Sequence, residues 1–246
     1  MRSASSDQHT PLNRVYAWFS ALAKHDHEGM DDLLAHGVPV DVPHPLRHTT
    51  ALMEATRLGR TTTIHWLLAR GAAPAFLCGM PPGTPLHCAI RLHHWVIAAF
   101  LTHHCEHVAV TDSKGCTPLH VLAEESNNCK TQEPLLQLAG TLLGKDCPLD
   151  ALNREGLTAL HYAVINEQPL LVELLLRHGA NPNSRVPDSG MTPLAMSAIN
   201  KNLNIARLLM HFGANPHQQI GDGSTPATIL PTLSRLVAGA VSRVPR

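Results

Sequence analysis

The chain has 246 residues, 44% of them hydrophobic, enough to bury a sizeable core in one large domain or two ordinary ones. Lysine plus arginine balance aspartate plus glutamate at 19 each, so no field of one sign draws it toward nucleic acid or an anionic membrane. The longest apolar run, residues 95–101, falls far short of the roughly 20 residues that a bilayer crossing needs.

Residues 1–12 are polar and read as a disordered tail; residues 13–246 read as a single domain with an internal repeat. Residues 15–23, after Arg14, superficially look like the apolar stretch of a secretory signal. The repeat register makes them a helix instead, because Trp18 and Ala21 fall one period before Leu52 and Ala55. Thr50-Ala51-Leu52-Met53 returns as Thr84-Pro85-Leu86-His87, Thr117-Pro118-Leu119-His120, Thr158-Ala159-Leu160-His161, Thr192-Pro193-Leu194-Ala195 and, more weakly, Thr225-Pro226-Ala227-Thr228. The steps between these threonines are 34, 33, 41, 34 and 33 residues. A second phrase keeps the register: Leu33-Leu34 precedes Gly37, Leu67-Leu68 precedes Gly71, Leu175-Leu176 precedes Gly179, and Leu209-Met210 precedes Gly213.

Each phrase has a local consequence. Threonine at an N-cap accepts the first free helical N–H groups, and the proline after it has a helical φ and no N–H to leave unpaired, so each Thr-Pro starts a helix. Leu86, Ala89 and Ile90, or Leu160, Ala163 and Val164, then recur on one helical face, small enough in part for helices of adjacent units to approach closely. A second helix carries the paired leucines and ends at glycine, which enters the left-handed region without a Cβ penalty. Gly115, Gly156, Gly190 and Gly223 stand two residues before a threonine, and with Asp112, Asn153 and Asp188 they mark tight projecting turns.

With these phrases at this period, the sequence resembles the ankyrin repeat family over about nine tenths of its length. The resemblance implies an all-α solenoid of about six to seven helix-turn-helix units with short β-hairpin fingers. The units lie near 16–49 (an N-terminal cap), 50–83, 84–116, 117–157 with an insertion, 158–191, 192–224 and 225–246 (a C-terminal cap). The 41-residue step places the insertion in the polar run 124–131, lengthening the loop between that unit's two helices. Where other units have a helix-ending glycine, the third has Cys105 and the fourth Asp146, so the Cys105 end is expected to be strained or built differently. Met80-Pro81-Pro82-Gly83 makes an atypical, stiff turn between the second and third units.

The six cysteines, Cys78, Cys88, Cys105, Cys116, Cys129 and Cys147, lack the paired spacing of a disulfide framework, and a reducing compartment is the natural reading. Eighteen histidines invite a metal reading, most pointedly at His103-His104-Cys105-Glu106-His107, but the spacing is not that of converging zinc ligands. His87, His120 and His161 belong to the repeat phrase, and the resemblance gives them structural hydrogen bonds. No phosphate-binding glycine loop, serine nucleophile elbow or His-Glu-x-x-His is present, and no cysteine stands out by its context as a nucleophile. No enzyme activity, no metal and no cofactor is expected.

The resemblance therefore implies a non-enzymatic protein-protein interaction module, monomeric and cytoplasmic, with nuclear residence or delivery into a host cell as open alternatives. Its binding surface would be the concave side, made of fingertips and first-helix ends. At the tips these positions are Arg47, Ser113, Lys114, Arg154, Glu155, Asp188, Ser189 and Asp222. On the first helices they are Arg57, Leu58, Arg91, Leu92, Glu124, Glu125, Ile165, Asn166, Ile199 and Asn200. Arginines on the early units, glutamates on the fourth and apolar residues between them suggest a polarised groove for an extended or helical segment of a protein partner. The alternative is an adaptor or effector that recruits ubiquitin-ligase or other host regulatory machinery through its C-terminal segment, residues 230–246.

Overall fold

A computed structural model describes residues 11–79, 82–128, 132–145 and 147–233. Residues 1–10, most of the expected tail, lie outside them, as do residues 80–81 of the proline turn, 129–131 of the insertion, Asp146, and the C-terminal segment beyond Leu233. The chain divides into two compact units, residues 1–105 and 106–246.

The first unit holds three helix pairs: α1 (Pro11–Lys24) with α2 (His27–Ala35), α3 (Ala51–Arg57) with α4 (Thr61–Ala69), and α5 (Pro85–Arg91) with α6 (Trp95–His104). First helices pack on first helices, α1 on α3 and α3 on α5. Trp18 and Leu52, matched by the period, are both fully buried, and Ala21 and Ala55 are buried with them. Residues 15–23 are thus a packed core helix.

The second unit repeats the arrangement with α7 (Pro118–Glu124) and α8 (Glu133–Leu143), α9 (Ala159–Ile165) and α10 (Pro169–Arg177), and α11 (Pro193–Ile199) and α12 (Leu203–His211), followed by α13 (Pro226–Ile229). First helices α7, α9, α11 and α13 form one layer, and second helices α8, α10 and α12 the other. Each buried face is covered by the neighbouring pair, as expected of units that cannot bury their own apolar side alone. In this unit α7 passes into a 3-10 turn, Glu125–Asn128, before α8, whereas α9 reaches α10 through Asn166, Glu167 and Gln168 only.

The capping chemistry follows the sequence closely. Thr84, Thr117 and Thr158 each accept a hydrogen bond from the backbone N–H three residues on, and the histidine there returns a bond through its ring Nδ1 to the threonine's own N–H. Histidine occupies the place that glutamate or glutamine usually takes in a capping box. Thr50 and Thr192 cap without the return bond, because Met53 and Ala195 have no acceptor to offer.

Three features depart from expectation. The fingers are hydrogen-bonded turns, not strand hairpins; the one β-bridge among the described residues joins Cys78 and Gly83. Side chains compete for the ladder's N–H groups: Asp112 Oδ1 accepts from the N–H groups of Lys114 and Cys116, and Asn153 Oδ1 from those of Glu155 and Leu157. Cys105 ends α6 with φ −80° and ψ 122°, an extended conformation with no left-handed strain. Finally, in five of the six helix pairs, α7 with α8 excepted, the turn between the helices enters the left-handed region at the same repeat position, at His25 (φ 60°), Gly59 (70°), His93 (56°), Glu167 (54°) and Lys201 (55°). The glycines that end the second helices, Gly37, Gly71, Gly179 and Gly213, sit at φ 84° to 94°. Near +57° an L side chain is tolerated at a cost, so the sequence varies at the first set and keeps glycine at the second.

Candidate partner-binding site

In the first unit, α1, α3 and the finger at residues 44–49 enclose a cleft of about 390 Å³, lined by Tyr16, Phe19, Ser20, Ala23, His44, Arg47, Glu54, Arg57 and Leu58 among others. The finger is closed by backbone bonds from His44 N–H to the Thr49 carbonyl and from His48 N–H to the His44 carbonyl. His44 Nδ1 accepts from the N–H groups of Leu46 and Arg47, while its ring meets Phe19 and Tyr16 edge-on at 4.7 and 5.9 Å between centroids. The aromatic wall and the fingertip are therefore joined through one imidazole.

Glu54, 5% exposed, lies at the floor. Arg57 donates to its Oε2 from Nε at 3.1 Å and Nη2 at 2.9 Å, Thr49 donates to Oε1 at 2.9 Å, and Arg47 stands 3.6 Å away. Burial pushes the carboxyl up, but the hydrogen bonds from Arg57 and Thr49 and the two arginine charges outweigh it and hold Glu54 below the usual range. Glu54 is thus ionised and fully engaged, while the Arg47 and Arg57 side chains remain 61% and 50% exposed.

The polar positions of the second unit make different bonds. Lys114 Nζ reaches Glu124 at 3.5 Å. Asn166 donates its amide to the carbonyls of Ala123 and Glu124, closing the C-terminus of α7. Asp222 Oδ1 accepts from both the N–H and the hydroxyl of Ser224, which hold its carboxyl below the usual range. Neighbouring fingertips are tied by one backbone bond each, Arg154 N–H to the Lys114 carbonyl and Gly221 N–H to the Ser189 carbonyl.

Residues 129–220 match the family profile for ankyrin repeats (3 copies). A crystal structure of the ankyrin repeat domain of Bcl-3, a member of the IkappaB protein family, aligns with TM-score 0.74 over 92% of this chain and 95% of that one, at 24% identity. Residues 129–220 are ankyrin repeats, and the chain as a whole has the ankyrin repeat fold. Among curated proteins it is 27% identical over 179 residues to palmitoyltransferase AKR1 of Lachancea kluyveri and 32% identical over 157 residues to Ankyrin repeat and SOCS box protein 11 of Danio rerio. Those matches take in 72% and 62% of this chain but span only 23% and 51% of the two relatives. Ankyrin repeats are protein-protein interaction modules, and the part shared with the palmitoyltransferase is short beside that protein's length.

Of the positions read from the sequence, Arg47, Arg57 and Leu58 converge on the first unit's cleft. In that same unit Leu92 is exposed and Arg91 half-buried. In the second unit Lys114, Arg154, Glu155, Ile165, Asp188, Ser189, Ile199, Asn200 and Asp222 are exposed, and Ser113, Glu124, Glu125 and Asn166 half-buried. Sequence reasoning missed Tyr16, Phe19, His44 and Glu54. The first two lie in the degenerate opening unit, and Glu54 sits beside the core alanine Ala55, where its charge was the available signal.

The remaining chemistry is muted. Burial pushes the Cys88 thiol up to about 11, so it stays protonated at neutral pH and is no nucleophile. His120 Nε2 donates to the Leu157 carbonyl at 3.0 Å, and burial lowers its pKa against the pull of the Leu157 and Ala151 carbonyls and the Asp112 charge. Burial takes His161 down to about 4, since its Nε2 finds no hydrogen-bond partner at proper geometry although the Met191 and Ser184 carbonyls favour the charged ring. Among the described residues, no group of three or more His, Cys, Asp or Glu side chains could hold a metal ion. Nor is any described helix long and apolar enough to cross a membrane.

Proposed function

We propose that this chain is a non-enzymatic module that holds a partner protein on its fingertips and first-helix ends. The observation that carries the reading is the first unit's cleft, where three of the expected positions, Arg47, Arg57 and Leu58, meet an aromatic wall. Support comes also from the exposed apolar residues at the ends of first helices: Leu58 is 44% exposed, Leu92 43%, Ile165 41% and Ile199 52%. Apolar groups left in water beside charged ones are more typical of an interface than of plain surface. Charge reversal at Arg57 and Arg91 together should weaken capture of the partner by about tenfold or more, with the fold intact by circular dichroism. Unchanged capture refutes this placement.

A second reading has one observation in its favour. The Danio rerio relative is named for a SOCS box, which suits recruitment of ubiquitin-ligase machinery through residues 230–246 here. Ligase subunits should then be captured by the intact chain and lost when residues 230–246 are deleted; capture by the shortened chain removes this reading.

A further inference from the structure

The first unit's cleft carries a chemical preference, and stating it rests on the partner-binding reading above. We infer that the cleft takes an acidic segment of the partner in which a carboxylate side chain stands next to an apolar one. The carboxylate would meet Arg47 and Arg57, and the apolar side chain the wall of Tyr16, Phe19 and His44.

Charge counting is the first support. Among the lining residues one acid, Glu54, faces two arginines. Glu54 is 5% exposed and its oxygens already accept from Arg57 and Thr49, so it offers little to a cationic partner. The arginine side chains are instead 61% and 50% exposed. Arg57 spends Nε and Nη2 on Glu54, and its Nη1 donates to no described residue. A guanidinium carries five donors, so Arg47 and Arg57 retain open donors for a second, incoming carboxylate. Glu54 acts as a positioning residue, aiming Arg57 while cancelling only one of the two charges.

Preorganisation is the second support. The His44 ring packs on Phe19 and Tyr16 while its Nδ1 fixes the N–H of Arg47, so the wall and one arm of the cation pair are set before a partner arrives. A second hollow of about 530 Å³, lined by Arg47, Thr49, Glu54 and Arg57, shares the arginine pair with the aromatic cleft. A segment lying across both would place neighbouring side chains on the arginines and on the rings. Tyr16 is 40% exposed and Leu58 44%, apolar surface that such a side chain would cover.

The test pans a random-peptide display library against the full chain and measures enriched peptides, fluorescein-labelled, by anisotropy. Removing both arginines strands the Glu54 carboxylate, so the variant combines Arg47→Ser, Arg57→Ser and Glu54→Gln; Arg47→Ser alone, at an exposed side chain, serves if the triple variant melts early. Enriched peptides should carry Asp or Glu beside an aromatic or aliphatic residue. They should lose about tenfold or more in affinity to the variant, on exchange of the acid for its amide, and in high salt. Basic or uncharged peptides that need the arginine pair overturn the acidic preference. Peptides unaffected by the variant but lost on Ile165→Glu with Ile199→Glu overturn the cleft and leave the wider reading standing. Failure to enrich any peptide on either face counts against both.

Discussion

The helices α3 and α9 occupy equivalent places in their units and are held by opposite electrostatics. Around α3 a buried carboxylate stays ionised, caught between Arg57, Thr49 and Arg47, and leaves arginine surface facing solvent. Around α9 the buried group is the His161 ring, kept neutral by desolvation, and the next polar residue, Asn166, turns back to close the neighbouring helix α7. The ends of equivalent first helices thus differ: Arg57, seven residues after Thr50, stays 50% exposed beside Glu54, whereas Asn166, eight after Thr158, is spent on the fold itself. Whether a polar side chain is open to a ligand depends on whether the adjacent element leaves a carbonyl or carboxylate within its reach.

Acid should separate the two helices most widely. His161 is lowered from 6.5 to about 4, so the unfolded chain takes up its proton first; stability is complete above about pH 6.5 and declines as pH falls toward 4, by about 3 kcal/mol if the ring stays buried. His120 acts in the same direction. Glu54 is lowered from 4.5, so its contribution persists above that value and disappears only as pH falls through its lower folded value. Amide exchange should therefore show α7 and α9 losing protection between pH 6.5 and 4.5 while α3 holds. His161→Gln keeps an acceptor at the capping position and should flatten the decline; an unchanged slope in denaturant titrations at pH 7 and pH 4.5 would acquit the ring.

Asn166→Ala leaves the carbonyls of Ala123 and Glu124 without their amide donor, and should cost about 1 to 2 kcal/mol in thermal melts without touching the first unit's cleft. Glu167→Gly gives the α9 turn the residue that Gly59 provides after α3, relieves a φ of 54°, and should raise stability by up to about 1 kcal/mol. A loss would mean that the glutamate makes contacts worth more than its backbone strain. Arg47→Ser should change the melting free energy by about 0.5 kcal/mol or less, since its ion pair is long and open to water, yet weaken partner capture. Equal losses of stability and binding would make Arg47 a structural residue.

Much of this architecture is local and was therefore written in the sequence. Threonine caps, proline at the first helical turn and glycine at the helix end act over three or four residues, so Thr84, Thr117, Thr158 and Thr192 start helices wherever the period places them. The left-handed turn at His25, His93, Glu167 and Lys201 was hidden because none of these residues announces φ above zero; the 34-residue alignment with Gly59 was the available clue. The finger chemistry was half legible, since Asp112 and Asn153 mark turns but do not say that their oxygens will take the N–H groups a strand pair would use.

By itself, then, the order of residues determined the repeat and where the Thr-led first helices start, because each follows from short-range capping, φ preference and the spacing of apolar groups. Only the tertiary structure decided which outward positions are free. His44 meets Phe19, and Arg57 with Arg47 encloses Glu54, because α1, the finger and α3 pack together, and such encounters depend on distances between elements that no local pattern encodes.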